Sequence, residues 1–139
     1  MGICGIAHTA YNVSNIERSL EFYCDGLGME RMFELKLGDG RTLIYLRVCP
    51  GVNQFLELFH GGAIPAGGKA ISQPVGYEHL CLEISDLEAF AVELRAKGLP
   101  VEGEPTLGLD HNTQLWISDP DGNRIELMQY GEDALQLTD

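Results

Sequence analysis

Basic residues are scarce in this chain: nine Lys and Arg stand against 21 Asp and Glu, a formal charge of −12. A field of that sign repels nucleic acid and anionic membrane surfaces, and an anionic small molecule would need local cations to settle. No apolar run approaches the roughly 20 residues of a membrane span, and the N-terminus shows no basic stretch followed by an export segment. The expected location is the cytoplasm. Cysteine is sparse as well. Cys4, Cys24, Cys49 and Cys81 have no C-x-x-C spacing, which argues against a disulfide framework and against thiolate-rich structural zinc, and the four read as reduced thiols.

What the chain does have is an internal repeat. His8 opens a strand, a helix start and a β-rich run that ends in Leu56-Glu57-Leu58, and the same order recurs from His79 to Ile125-Glu126-Leu127. The offset is 71 residues between the histidines and 69 between the glutamates. A period of that size exceeds the roughly 20–50 residues of solenoids and propellers and points to a duplicated half-domain. Six residues after each histidine stands a serine followed by Glu at the third position, Ser14/Glu17 and Ser85/Glu88. Both read as capping boxes that open a helix.

A strand is expected over residues 3–13, with Ile6, His8, Ala10 and Asn12 on one face, followed by a helix in which Ile16, Leu20 and Tyr23 share a side before Gly26 and Gly28. Met29–Leu37, Thr42–Val48 and Phe55–Phe59 are the next strand candidates, separated by Gly38-Asp39-Gly40 and Pro50-Gly51-Val52-Asn53. The second copy predicts a strand over Tyr77–Ile84, a helix over Ser85–Lys97 stopped by Gly98, and strands over Val101–Pro105, Thr113–Ser118 and Arg124–Tyr130. The last two flank Asp119-Pro120-Asp121-Gly122-Asn123, a tight-turn sequence. The expected fold class is α+β: two tandem βαβββ modules, residues 3–60 and 77–131 with a linker over 61–76, forming one domain over 1–139. Their strands would make a curved eight-stranded mixed sheet with the helices outside. The polar tail Glu132–Asp139 reads as poorly ordered surface.

Strand alternation turns Leu56, Leu58, Ile125 and Leu127 toward a helix-covered face, which leaves Glu57 and Glu126 on the other, concave face. A carboxylate there has to be protonated, paired or bound to a cation. His8 and His79 follow the same alternation. A lone strand histidine is ordinarily a packed residue and a lone strand glutamate ordinarily faces water, but four matched positions in two copies favour a shared role. Two imidazoles and two carboxylates suit Zn²⁺, Ni²⁺, Co²⁺, Fe²⁺ or Mn²⁺, with room for water or substrate, whereas Ca²⁺ would want more oxygens. Cys81, on the face of His79, reads either as a further ligand or as a small apolar filler. His60 reads as solvated and His111 as a loop residue, with lining of a pocket mouth the minority alternative. Arg124 shares the face of Glu126, either to bind an anionic substrate group or to neutralise the glutamates.

Paired βαβββ units, a histidine on each first strand, a glutamate on each last strand and the run Asp119-Pro120-Asp121-Gly122-Asn123-Arg124-Ile125-Glu126 resemble the vicinal oxygen chelate (glyoxalase/bleomycin resistance) superfamily over nearly the whole chain. Within it the His, Glu, His, Glu quartet is most similar to glyoxalase I, lactoylglutathione lyase. That resemblance implies a methylglyoxal-detoxifying lyase with a divalent metal, nickel or zinc foremost, held by His8, Glu57, His79 and Glu126, commonly in a homodimer. The reaction implied is conversion of a methylglyoxal–thiol hemithioacetal to a lactoyl thioester through a metal-stabilised enediolate, with Glu126 the leading base and Glu57 its partner. Glutathione-using members carry an arginine four residues after the first histidine and an asparagine four after the first glutamate, where this chain has Asn12 and Gly61. The thiol is therefore open. An epimerase, an extradiol dioxygenase, a fosfomycin-modifying enzyme and a metal-free resistance protein that sequesters a small molecule are the competing readings.

Overall fold

The computed structural model describes residues 6–62 and 79–137. The chain divides into two compact units at residues 68/69. Cys4, the start of the first expected strand, Tyr77 and most of the expected linker lie outside the described residues.

The first unit contains β1 (His8–Asn12), a helix α1 (Ile16–Leu20) that continues as a π-helical segment (Glu21–Gly26), then β2 (Glu30–Lys36), β3 (Arg41–Arg47) and β4 (Phe55–Gly61). Its strands form one mixed sheet in the order β1-β4-β3-β2, with β1 parallel to β4 and the others antiparallel. The second unit repeats the plan: β5 (Leu80–Glu83), α2 (Leu87–Ala96), β6 (Val101–Leu107), β7 (Thr113–Ser118) and β8 (Arg124–Gln129), in the order β5-β8-β7-β6. A short 3₁₀ turn, Leu135–Leu137, follows. The eight strands are thus shared equally between two four-stranded sheets.

Both helix starts lie one residue later than the serines suggested. Asn15 caps α1 by accepting from the Arg18 amide at 3.0 Å, and Asp86 caps α2 by accepting from the Ala89 amide at 3.0 Å. In each copy a Ser is followed by Asn or Asp, and the second residue takes the extended cap conformation, so its own side-chain oxygen reaches the third amide of the helix. The first helix also does not keep the 3.6-residue period through Tyr23. From Glu21 the backbone widens to i→i+5 bonds, including Leu27 N–H to the Phe22 carbonyl at 2.9 Å. The wider turn brings adjacent Phe22 and Tyr23 both inward, ring edge to ring face at 5.0 Å, and buries Ser19 in place of Ile16 and Leu20. The second helix keeps its expected stripe, with Leu87, Ala91 and Leu94 buried against β6, β7 and β8.

Each sheet has a closed and an open face. Ile44, Leu46, Leu56 and Leu58 are buried on the closed face of the first, and Leu115, Ile117, Ile125 and Leu127 on that of the second. At about 1.5–3 kcal/mol per fully buried aliphatic side chain, these two layers dominate the stability of their sheets. The burial order fixes register: a one-residue slip of β4 or β8 would exchange the leucines with the glutamates. In the second unit a buried carboxylate reinforces that register. Asp119 Oδ1 accepts from the amides of Asp121 and Asn123 at 2.9 and 2.8 Å, and Oδ2 accepts from the Asn123 side chain at 2.9 Å. The Asp-Pro-Asp-Gly-Asn turn is therefore built around Asp119, which sets where β8 begins.

The expected disorder of the tail is corrected over its described part. The Asn112 side chain, 1 % exposed, bonds to Asp110 and Gln136 at 2.8 Å each and accepts from the Gly131 amide at 3.2 Å. Gln136 donates to Asp110 at 2.7 Å. The tail is ordered because it supplies partners to a buried amide and a loop carboxylate, groups that would be costly to leave unpaired. Gly131 is required where the strap passes the loop, since a side chain there would run into the His111 carbonyl.

Candidate functional site

In the first unit Glu57 stands on the open face of β4, between Leu56 and Leu58 of the closed face, and remains 7 % exposed. The parallel register sets Ala10 of β1 beside it and the antiparallel register sets Tyr45 of β3 on its other side. His8, two residues before Ala10, brings Nε2 to 3.3 Å from Glu57 Oε2. The Tyr45 hydroxyl donates to the same carboxylate, and this bond, together with lost hydration and the carboxylate charge, pushes the phenol pKa up. Tyr45 also meets the His8 ring edge-on at 6.1 Å and stacks on Phe33 at 4.6 Å.

The second unit repeats the constellation at the same register. Glu126 lies between Cys81 of β5 and Trp116 of β7. His79, just ahead of β5, places Nε2 3.1 Å from Glu126 Oε2. Trp116 meets the His79 ring edge-on at 4.8 Å. The Cys81 thiol bonds to the Glu126 carboxylate, and its pKa is pushed up to about 12, by lost hydration first and by the carboxylate second. At neutral pH it is a protonated donor to Glu126.

All four predicted ligands thus appear as two His–Glu pairs, one on the open face of each sheet. Within either unit the described residues gather no three metal donors. The donor chemistry fits a divalent ion. Two ligands bound about 2.1 Å from one ion at tetrahedral or octahedral angles lie about 3.0 to 3.4 Å apart, and the observed separations are 3.3 and 3.1 Å. Imidazole nitrogen with carboxylate oxygen suits Zn²⁺, Ni²⁺, Co²⁺, Fe²⁺ or Mn²⁺. His79 Nδ1 is buried without a hydrogen-bond partner among the described residues, whose holds on the ring are packing on Trp116 and the contact at Nε2.

The remaining candidates separate. Arg124 does not pair with Glu126. Its guanidinium lies over the Trp116 ring at 4.1 Å and reaches Glu102 only at 3.5 Å. His60 was expected in water but sits half-buried on the closed side of β4 beside Thr42, with Nε2 shielded and without a partner among the described residues. Alternation from Glu57 puts it on the face opposite the pair. His111 adopts a left-handed backbone, φ 68°, and its Nδ1 lies 3.1 Å from the Asp133 carbonyl and 3.2 Å from its carboxylate. It is tied to the C-terminal strap. Tyr45, Trp116 and Glu102 went unrecognised in the sequence, although the 71-residue offset that relates the histidines also carries Tyr45 onto Trp116 and Ala10 onto Cys81.

Comparison with known proteins places these pairs in context. A probable lactoylglutathione lyase of Synechocystis sp. is 31% identical over 128 residues, covering 89% of this chain and 94% of that protein. Among solved structures, a glyoxalase family protein of Enterococcus faecalis matches with TM-score 0.79 and 25% identity, over 92% of this chain and 99% of its own. The antibiotic binding protein TnmS3 of Streptomyces matches with TM-score 0.74 and 25% identity, over 94% and 99%. Residues 5–127 match the Glyoxalase/Bleomycin resistance protein/Dioxygenase superfamily. With a His–Glu pair on each of two matching sheets, the chain belongs to that superfamily.

Proposed function

We propose that this protein is a divalent-metal-dependent lyase of the lactoylglutathione lyase type, which rearranges the hemithioacetal of methylglyoxal and a thiol into a lactoyl thioester. The observation that carries the reading is the pair of His–Glu contacts at 3.3 and 3.1 Å on equivalent strands of the two units. The similarity to a probable lactoylglutathione lyase supports it. His8, Glu57, His79 and Glu126 would hold one ion between them, whether the two half-sites come from one chain or from two chains of a homodimer. A bound ion would supply Lewis-acid stabilisation of the negative charge that develops on two neighbouring substrate oxygens.

The protein's own part is to move a proton between adjacent carbons, and the two carboxylates are not equivalent for that task. Glu57 is held by the Tyr45 hydroxyl, a strong donor. Glu126 is held by the Cys81 thiol, a weak one, so it gives up its partner at lower cost. Glu126 is therefore the leading base and Glu57 the anchored partner. The open-face aromatics favour a second reading. Phe33, 47 % exposed, extends a row through Tyr45 to Phe55, with ring centroids 4.6 and 6.0 Å apart. Such a surface also suits a metal-free protein that sequesters an apolar small molecule.

Elemental analysis before and after chelation and reloading, beside an assay with methylglyoxal–thiol adducts, decides between them. About one divalent metal per chain with thiol-dependent lactoyl thioester formation is expected. Bound metal without that activity moves the protein to another metal-dependent member of the superfamily. Absence of any affinity for divalent ions leaves the sequestering reading.

A further inference from the structure

We infer that Arg124 is a carboxylate anchor, and that the substrate bears a carboxylate close to its two vicinal oxygens. The inference rests on the reading of the His79–Glu126 pair as part of the reaction site of a thiol-adduct lyase, and it revises the carbonyl half of that adduct: a carboxylate-bearing group stands where methylglyoxal has its methyl. Arg124 is two residues from Glu126 on the open face of β8, so its backbone stands about 7 Å away along the strand. Its side chain does not run off into solvent. The guanidinium carbon lies over the ring of Trp116, the cross-strand neighbour of Glu126, 4.1 Å from its centroid. The same indole meets the His79 ring at 4.8 Å. One aromatic ring therefore spaces the guanidinium from the metal-binding imidazole.

Three features suit this group to receiving an anion. Contact with the indole restrains the guanidinium and removes part of the rotamer entropy that binding would otherwise cost. Its acidic neighbour, Glu102, is at 3.5 Å, beyond a strong charge-assisted bond. The side chain stays 47% exposed, so donors remain open to solvent. Nor is the arginine consumed in neutralising Glu126, whose partners among the described residues are His79 and Cys81. A chain with charge −12 repels anions in general, so a local cation is a precondition for binding one. A single guanidinium matches a planar monoanion in two parallel bonds, whereas a phosphate dianion would meet the same field with one cation against two charges. The first unit has a related corner, Arg47 over Phe55 at 5.9 Å with Glu30 at 3.4 Å. Arg47 is the more enclosed of the two, 29% exposed with Nε buried, so the choice falls on Arg124.

Trp116 is the only tryptophan in the chain, which makes its fluorescence a local reporter. Metal-free protein is titrated with pyruvate, with uncharged pyruvamide and with S-methylglutathione, whose carboxylates are remote from any oxo group. Pyruvate is expected to give a saturable, salt-sensitive change that weakens about tenfold or more in Arg124→Gln, as befits loss of a charge-assisted pair. Glu102→Gln, which removes the competing carboxylate, is expected to tighten pyruvate binding. Arg124→Lys, verified as folded by circular dichroism, is expected to fall between wild type and Arg124→Gln. Equal binding of pyruvate by wild type and Arg124→Gln, equal binding of pyruvamide, a response to S-methylglutathione in place of pyruvate, or no pyruvate response at all would overturn the inference. The titration needs no metal and no turnover. A failure of the metal-lyase reading therefore shows in the elemental analysis and the adduct assay, and leaves this result separately readable.

Discussion

The two units carry the same pair on the same strands, yet they hold it with different chemistry. In the first, a hydroxyl fixes Glu57 and aromatic rings surround it. In the second, a thiol touches Glu126, an indole backs His79, and an arginine lies on that indole. Duplication explains the shared register, which follows from the burial of Leu56, Leu58, Ile125 and Leu127 on the closed faces. On the proposed function the divergence around it follows, because one ion would need four similar donors while a proton-transfer step would need one of them to be released. On that proposal the two pairs are equal as ligands and unequal as bases.

The largest effect should come from breaking that inequality directly. Glu126→Gln is expected to leave the fold intact and lower turnover of the preferred thiol adduct by about 10²- to 10⁴-fold, the range for a lost general base. Glu57→Gln is expected to act first on metal retention. Paired measurements of kcat and metal content distinguish the two, and equal losses in both variants would erase the distinction drawn here.

Next in size is the turn that sets the register of the second sheet. Asp119→Ala leaves two amides and one side chain without their acceptor beneath a 5 % exposed position. A destabilisation of about 2–3 kcal/mol is expected, read as a fall in thermal midpoint of roughly 6–10 °C. Hydrogen exchange should show amides of β7 and β8 losing protection before those of β3 and β4. Uniform loss would mean that the two units unfold together.

The bearing of sequence on structure divides along the same line. The two His–Glu pairs were legible because a residue's face on a strand is a local property, fixed by alternation and repeated at a near-constant offset. Their neighbours were not. Tyr45 meets Glu57, Trp116 meets Glu126 and Arg124 lies over Trp116 only through cross-strand register, which alternation alone does not supply. The helix caps were missed by one residue because Ser14-Asn15 and Ser85-Asp86 each offer two capping side chains in succession, and the backbone turn chooses between them. The tail was misread because the groups that order it, Asn112 and Gln136, are far apart in the chain.

A smaller test sharpens the contrast between hydroxyl and thiol. Tyr45→Phe keeps the ring on His8 and Phe33 but deletes the donor to Glu57, and a loss of about fivefold in kcat/KM is expected from one neutral hydrogen bond. Cys81→Ala should cost less, since a thiol is the weaker donor. A larger loss from Cys81→Ala would reverse the assignment of which carboxylate is the more firmly held.

The smallest effect concerns the C-terminal strap of the second unit, and its sign can be worked out. Hydrogen bonds from Gln136 first and Asn112 second hold the Asp110 carboxyl below the usual aspartate pKa. A group depressed in the folded state contributes stability that is present above its unfolded pKa and is lost as pH falls through the folded one. The strap should therefore stay docked at neutral pH and loosen only at acid pH below the ordinary aspartate range. Because Asp110 is solvated, the effect is modest and screened by salt. Exchange of the Leu135 amide, which donates to the Asp110 carbonyl at 3.1 Å, reports it. Asp110→Asn should flatten that acid dependence, and an unchanged profile would place the strap's stability in Asn112 and the buried Ala134 instead.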